Sequence, residues 1–512
     1  MKMSNFRLCF ILSIILGFSA PEVRGKELPS VERWKVYEFT LKSKVKGNPF
    51  HDVDLSAKFF MGGDTTEIKG FYDGNDTFVI RFMPSHEGEW NYVTSSNIRG
   101  LNNRKGKFMC VAPSPSNHGP VMTDSVRFVF ADGTPYRPVG TTCYAWVHQP
   151  DSLKQLTLAT LGDGYFNKMR MCIFPKSYDW NLNEPEYYPF EGSVGEGWDY
   201  TRFNPEYFRN IEKAILALDS LGIEADLIVY HPYDRWGFSS LPDDVCDDYM
   251  QYIISRFGAY KNVWWSMANE YDFMGNRDIA DWEHYLEFFG TKDTYNHLRS
   301  IHNGTKMFDH NNKYITHVSV QAPNTDNGWN LVRQYRKPVI YDECRYEGNI
   351  NWPWGTLSGE EMTEKFWAGF LNGVSVGHGE VLLGRSDQFP WESDEVLWWS
   401  KGGTLKGKSP ERIKFLTSIL DEAPDGMKPH RGITSWARYP LLSLDDDYFL
   451  LYFGRDTQCQ KVLELPAEKK YRIDVIDTWD MTVTPTGKIY SGKCLVELPD
   501  KPYMGLRIIA VD

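Results

Sequence analysis

The feature that most constrains this chain is a rhythm of eight short apolar runs, most of them separated by longer segments with helical spacing. The runs are Pro138–Trp146, Asn167–Phe174, Ile223–Tyr230, Val263–Asn269, Leu298–Asn303, Ile315–Gln321, Pro338–Glu343 and Gly373–Glu380. Helical patterns lie between them at Pro205–Leu221, Pro242–Phe257, Trp282–Phe289 and Gly359–Leu371. A strand covered on both faces reads as a continuous apolar run rather than an alternation. Repeated strand–helix units predict a parallel sheet. Eight of them over roughly 280 residues match a (β/α)8 TIM barrel, which typically takes about 250. A doubly wound sheet is the competing solution, but no Gly-x-Gly-x-x-Gly follows the first run.

The texture differs on either side of this α/β region. From about Trp34 to Val111 short strands such as Phe78–Phe82 and Glu89–Thr94 are punctuated by Asp73-Gly74 and Glu87-Gly88. That spacing predicts an N-terminal β-sandwich over 27–112, ended by the Pro-rich stretch 112–120. Beyond the barrel, taken as 121–425, short strands return at Tyr448–Phe453, Lys461–Leu465, Tyr471–Asp477, Cys494–Leu498 and Gly505–Val511. They predict a small C-terminal β-domain over 428–512. The first 25 residues carry Lys2 and Arg7 before an apolar run from Leu8 to Phe18, too short to span a bilayer. They read as a signal peptide, so the mature protein is expected to be secreted or periplasmic.

Composition removes some functions. Formal charge is −12, with no clustered Lys/Arg stripe, and nucleic-acid binding needs a concentrated basic surface. Seven cysteines remain outside the leader run, and their spacings match no zinc or redox motif. Cys459 and Cys494 are candidates for pairing, whereas Cys143, Cys172 and Cys344 lie in apolar runs that suit buried thiols. There is no His-Glu-x-x-His, and Asp445-Asp446-Asp447 lacks EF-hand spacing. Neither a metal nor a cofactor is expected. Oligomeric state is left open. Aromatic residues make up 15% of the chain, which suits either large cores or sugar binding.

In a barrel, functional residues gather where strands end, on the face built by the βα loops. The fourth run, Val263-Trp264-Trp265-Ser266-Met267-Ala268, stops at Asn269-Glu270. The seventh, Lys337-Pro338-Val339-Ile340-Tyr341, stops at Asp342-Glu343. Strand alternation places Asp342 and Glu343 on opposite sides, so one of the two is expected to face the centre. Two carboxyl groups at facing strand ends are what glycosidic bond cleavage needs: one protonated for the leaving oxygen, the other ionised.

At this point the chain resembles clan A, the 4/7 superfamily of retaining glycoside hydrolases, and within it apiosidase-like and cellulase-like hydrolases of gut and soil bacteria with flanking β-domains. The resemblance covers a little over half the chain. It implies that Glu270 is the acid/base, Glu343 the nucleophile, and the substrate an oligo- or polysaccharide. It implies that Arg170 in the second strand steadies the nucleophile, and that His231 after the third faces substrate. Asn269 precedes the acid. His317 and Gln321 belong to the sixth strand, where clan members often place His or Tyr. The eighth strand departs from the clan: Gly377-His378-Gly379-Glu380 stands where Trp is usual, which leaves His378 as the candidate there.

Bland alternatives stand beside these roles. Glu343 could pair structurally with Arg345 or Arg170, and His231 could be a capped loop histidine. Tyr144, Trp146, Tyr233, Trp236, Trp352 and Trp354 suit stacking on a sugar ring or packing of loops. Burial beside Trp264–Trp265 and the charge of Glu343 are expected to raise the pKa of Glu270. Two other functions compete: a catalytically inert carbohydrate-binding protein, and an inverting or apiosidase-like hydrolase that uses Asp234, Asp272 or Asp342.

Overall fold

The computed structural model describes residues 28–384, 396–430, 432–435 and 437–511. The apolar leader run lies outside them. Among the described residues no helix is long and apolar enough to cross a membrane.

The centre is a (β/α)8 TIM barrel. Its strands are β1 (Val139–Thr142), β2 (Lys168–Cys172), β3 (Glu224–Tyr230), β4 (Val263–Ala268), β5 (Arg299–Ser300), β6 (Val318–Gln321), β7 (Val339–Glu343) and β8 (Ser375–His378). They run in the order β5-β4-β3-β2-β1-β8-β7-β6, with every ladder between neighbours parallel. Closure falls between β5 and β6, where β5 is only two residues long. There the seam is tied by the Thr316 N–H to the Arg299 carbonyl (2.9 Å) and by Asn303, which accepts from the Gln321 N–H and donates to its carbonyl, both at 3.1 Å.

The helices are α1 (Asp151–Leu161), α2 (Pro205–Ser220), α3 (Asp243–Phe257), α4 (Ile279–Lys292), α5 (Gly328–Tyr335), α6 (Gly359–Leu371) and α7 (Ser409–Asp421). Their starts follow from local chemistry. Asn204 caps α2 with Pro205 in its first turn, and Ser358 with Glu361 closes a capping box on α6. No helix joins β5 to β6.

Strand β4 shows why its sequence is apolar throughout. Trp265 points outward onto Phe289 of α4, with ring centroids 4.9 Å apart. Trp264 points inward, stacked 5.3 Å from Phe128 and edge-on to Tyr136. Those two residues belong to a small antiparallel sheet, Val121–Asp124, Arg127–Phe130 and Pro135–Tyr136, whose side chains seal the N-terminal end of the barrel with Leu298 and Ile340. This plug was not foreseen from sequence.

Above it the barrel interior is polar. Lys168 Nζ bonds Asp226 at 2.6 Å and Asp342 at 2.8 Å, and Ser319 Oγ donates to Asp342 at 2.5 Å. All four residues are buried. Charges so deep are tolerable only because they are paired.

Before the barrel, a five-stranded sheet faces a three-stranded one, with Phe59 stacked on Phe82 and Tyr37 on Phe108 in between. After it come a six-stranded and a two-stranded sheet around Phe449, Leu463, Ile473 and Leu506. All seven described cysteines are free. Cys143, Cys172 and Cys344 are buried thiols. Cys459 and Cys494 do not pair, because the strand register sets Cys494 opposite Leu463 instead.

Candidate active site

A cavity of about 480 Å³ opens at the C-terminal ends of the strands, within the usual size of a small-ligand site. Asn269, Glu270, Gln321 and Glu343 lie in its wall, with Tyr144, Lys176, Tyr178, Tyr233, Trp354 and Trp398 around them.

Two backbone irregularities aim the carboxyl groups. Glu270 has φ of 53°, a left-handed conformation uncommon outside glycine, and it turns the chain out of β4 into a short 3₁₀ segment. On β7 the register against β6 slips: Ser319 pairs Ile340, but Gln321 pairs Glu343, so β7 carries one extra residue. That bulge corrects the expectation from strict alternation. Asp342 reaches Lys168 inside the barrel while its neighbour Glu343 reaches the cavity. Both face the centre, at different depths.

Glu270 accepts hydrogen bonds from the Tyr233 hydroxyl, from Gln321 Nε2 (2.9 Å) and from Asn269 Nδ2 (3.2 Å). Its pKa is pushed above the usual carboxylate range, first by burial and then by the charge of Glu343. Lys176 and the hydrogen bonds from Tyr233 and Gln321 pull the other way without cancelling the rise. The expected Trp264–Trp265 wall is not the cause, since those side chains point to the barrel floor and to α4. Glu343 is the opposite case. Burial alone would raise it, but His302, Arg170 and the Tyr144 hydroxyl bring it down to about 2. Tyr144 donates to Oε1, Tyr346 to Oε2 at 2.8 Å, and His302 Nε2 lies 3.3 Å from Oε1. His302 also touches Gln321 Oε1 at 3.1 Å, so a short polar chain joins the two carboxyl groups.

One acid held up and its neighbour held down in one cavity divides the roles of proton donor and ionised base. Lys176, like Arg345 in the same cavity wall, supplies a cationic side chain beside them. It is 5% exposed, with Nζ 4.2 Å from the Tyr144 ring and 3.9 Å from the Tyr233 ring, and burial depresses its pKa.

Several sequence expectations are corrected by position. Arg170 does not reach the cavity. Its Nη1 is 3.9 Å from Glu343 and its Nε 3.6 Å from Asp226, an ion pair beneath the nucleophile candidate rather than a hydrogen bond to it. Arg170→Met is therefore expected to raise the pKa of Glu343 and move the acidic limb of the kcat/KM profile up by about one pH unit. A variant that is only less stable, with the limb unmoved, would leave Arg170 a purely structural part.

His231 is buried, with Nε2 bonded to the Phe174 carbonyl at 3.1 Å. Trp146 is packed in the barrel core, and Trp236 is held by Glu184 at 2.7 Å away from the cavity. His317 precedes β6 at the floor, edge-on to Trp264 and Phe128. His378 is fully buried and stacked on Phe166. Trp352 is half exposed beside a separate recess with Trp180 and Ile350, whereas Trp354 does line the main cavity.

The sequence reading missed Lys176, His302, Tyr346 and Trp398. His302 and Lys176 had a usable signal, since both fall in or just after counted strands. Tyr346 comes from the loop after β7 and Trp398 from a short strand, Val396–Trp398, paired to the strand after β8, and the sequence betrays the course of neither.

Residues 125–423 match the family described as "Apiosidase-like, catalytic domain". Residues 30–97 and 436–509 match two domain families of unknown function. No curated protein matches the chain in sequence. A solved structure from Bacteroides vulgatus ATCC 8482, described as a "putative glycoside hydrolase", is 39% identical over 94% of this chain and 100% of its own, with a TM-score of 0.87. A family 5 glycoside hydrolase from the same organism is 15% identical, covers 78% of this chain and 95% of its own, and has a TM-score of 0.59, a likeness of fold. The chain belongs to the apiosidase-like family, a glycoside hydrolase family built on the (β/α)8 barrel.

Proposed function

We propose that this glycoside hydrolase works by retention, with Glu343 as nucleophile and Glu270 as general acid and then general base. It cleaves glycosidic bonds in plant or microbial oligo- or polysaccharide, outside the cytoplasm. The observation that carries this reading is the opposed electrostatics of the two carboxyl groups in one cavity. At neutral pH the ionised Glu343 attacks the anomeric carbon while the Glu270 proton moves to the leaving oxygen. Glu270, ionised by that transfer, then takes a proton from the water that releases the sugar. Rings of Tyr178, Trp354 and Trp398 offer faces for a pyranose or furanose to lie against.

The alternatives have less support. Asp234 accepts from three backbone N–H groups of its own turn, Asp272 from three in the loop after β5, and Asp342 is committed to Lys168 and Ser319. None of the three lines the cavity. An inert binding protein has no use for an acid held up beside one held down.

The test is a panel of aryl glycosides and plant oligosaccharides, run with the wild type and with Glu270→Gln and Glu343→Gln. Hydrolysis of at least one linkage is expected, lost in Glu343→Gln on every substrate and in Glu270→Gln on those with poor leaving groups. Tight binding of a glycan with no turnover of any panel member would favour the inert reading. Export is checked by locating the full chain in fractionated cells.

A further inference from the structure

Outside the cavity, three buried side chains converge without an obvious reason. Glu347 and Glu380 stand opposite each other in the short parallel ladder that joins the loop after β7 to the strand after β8. They are 5% and 2% exposed. Like charges directly opposite across a ladder are destabilising, and buried carboxylates normally have a cationic partner. Among the described residues neither is paired with a lysine or arginine. Each is instead held by N–H donors on the approach to α7. Glu380 accepts from Lys406 (2.6 Å) and Gly407 (2.9 Å), and Glu347 from Lys408 (2.6 Å), Ser409 N (3.0 Å) and Ser409 Oγ (2.5 Å). Those donors fix both carboxylates and leave lone pairs free.

Two independent observations point to what takes up those lone pairs. The first is His378, 0% exposed, with neither ring nitrogen hydrogen-bonded and Nε2 3.8 Å from Glu380 Oε2. Its ring is stacked on Phe166 at 5.0 Å, which locks its direction. The second is Gly407. The point where a Cβ would lie is 2.5 Å from Glu347 Oε2 and 2.6 Å from Glu380 Oε2, so the missing side chain leaves a space straddled by both carboxylates. Ligand atoms of the three residues lie within 4.8 Å of one another. The 3.8 Å nitrogen–oxygen gap is close to what two ligands each about 2.0–2.2 Å from one zinc ion span.

We propose that Glu347, His378 and Glu380 form a structural site for a divalent transition ion of the zinc class. One imidazole nitrogen and two carboxylate oxygens suit that class better than calcium, which takes six or more oxygens. The ion neutralises the facing acids and pins the loop after β7, the strand after β8 and the start of α7 together. This runs against the expectation of no metal from sequence. The ligands come from two stretches of chain, Glu347 and His378-Gly379-Glu380, whose spacing matches no zinc motif.

The test uses the purified full chain, stripped with EDTA and then offered Zn(II), Mn(II), Mg(II) or Ca(II). Metal retained through gel filtration is measured by elemental analysis, and melting is followed by circular dichroism. About one equivalent of Zn(II) per chain is expected, with Tm raised by a few degrees. Co(II) in its place should give visible d–d absorption. His378→Gln and Glu380→Gln should each lose that absorption and weaken Zn(II) retention more than tenfold, and His378→Gln in EDTA should melt close to the EDTA-treated wild type. If His378→Gln folds poorly, Glu380→Gln alone decides by the same spectrum. No Zn(II) retained by the wild type, or equal retention by both variants, overturns the proposal and assigns the cluster to a proton shared between the two carboxyl groups.

Discussion

Replacing Glu343 by alanine is expected to lower kcat by about 10⁴-fold or more on every substrate, because the covalent route disappears with the only nucleophile. The loss should be chemical rather than structural. The Glu343 side chain lies in the cavity wall, Tyr144 and Tyr346 keep each other as partners at 3.4 Å, and His302 keeps Ser319 and Gln321. Azide, small enough to enter the space left by the carboxylate, should restore turnover of an activated aryl glycoside. It attacks from the nucleophile's side, so the product should be a glycosyl azide of inverted configuration. A variant that folds, retains full activity and ignores azide would remove Glu343 from the mechanism.

Replacing Glu270 by alanine should give a different pattern, and the difference is the diagnostic. General acid catalysis contributes about 10²–10⁴-fold when the leaving group is a poor one such as a sugar hydroxyl. Substrates with poor leaving groups should lose kcat/KM by that factor, whereas an activated nitrophenyl glycoside, which needs little protonation, should lose about tenfold or less. For the activated substrate kcat should still fall, since Glu270 also serves as base for the second step. Azide should rescue that step and give a glycosyl azide of retained configuration. The basic limb of the wild-type pH profile should flatten in the variant, because the raised pKa of Glu270 sets that limb. Equal losses of kcat/KM on both substrate types would show that Glu270 is not the proton donor.

Much of this site is legible in the sequence for a physical reason. Parallel strands covered on both faces leave apolar runs that end abruptly, and the first polar groups after β4 and β7 are the ones that enter the cavity. What is not legible depends on contacts between distant segments. Asp342 and Glu343 looked mutually exclusive, and only the β7 bulge lets both face inward. His317 looked like a strand-end ligand, but β6 begins one residue later, and the plug of Val121–Tyr136 turns the floor of the barrel into packed aromatic core. Trp146 and Trp236 are aromatic residues near strand ends like Tyr144 and Tyr233. Their neighbours, not their positions, decide that one pair fills core and the other lines the cavity. Lys176 is easily misread, because a lone lysine after a strand reads as solvated until two tyrosine rings are seen to close over it.

Everything proposed for the cavity rests on double displacement by Glu343 and Glu270. That mechanism is tested most directly by the configuration of the first sugar released. Wild-type protein is mixed with a substrate found in the panel, in deuterated buffer, and the anomeric protons are followed by NMR before mutarotation scrambles them. Retention goes with carboxyl groups about 5–5.5 Å apart, too close for a water between them, and inversion with about 6.5–9.5 Å. The first-formed hemiacetal is expected to carry the anomeric configuration of the substrate. A first-formed product of inverted configuration would contradict double displacement.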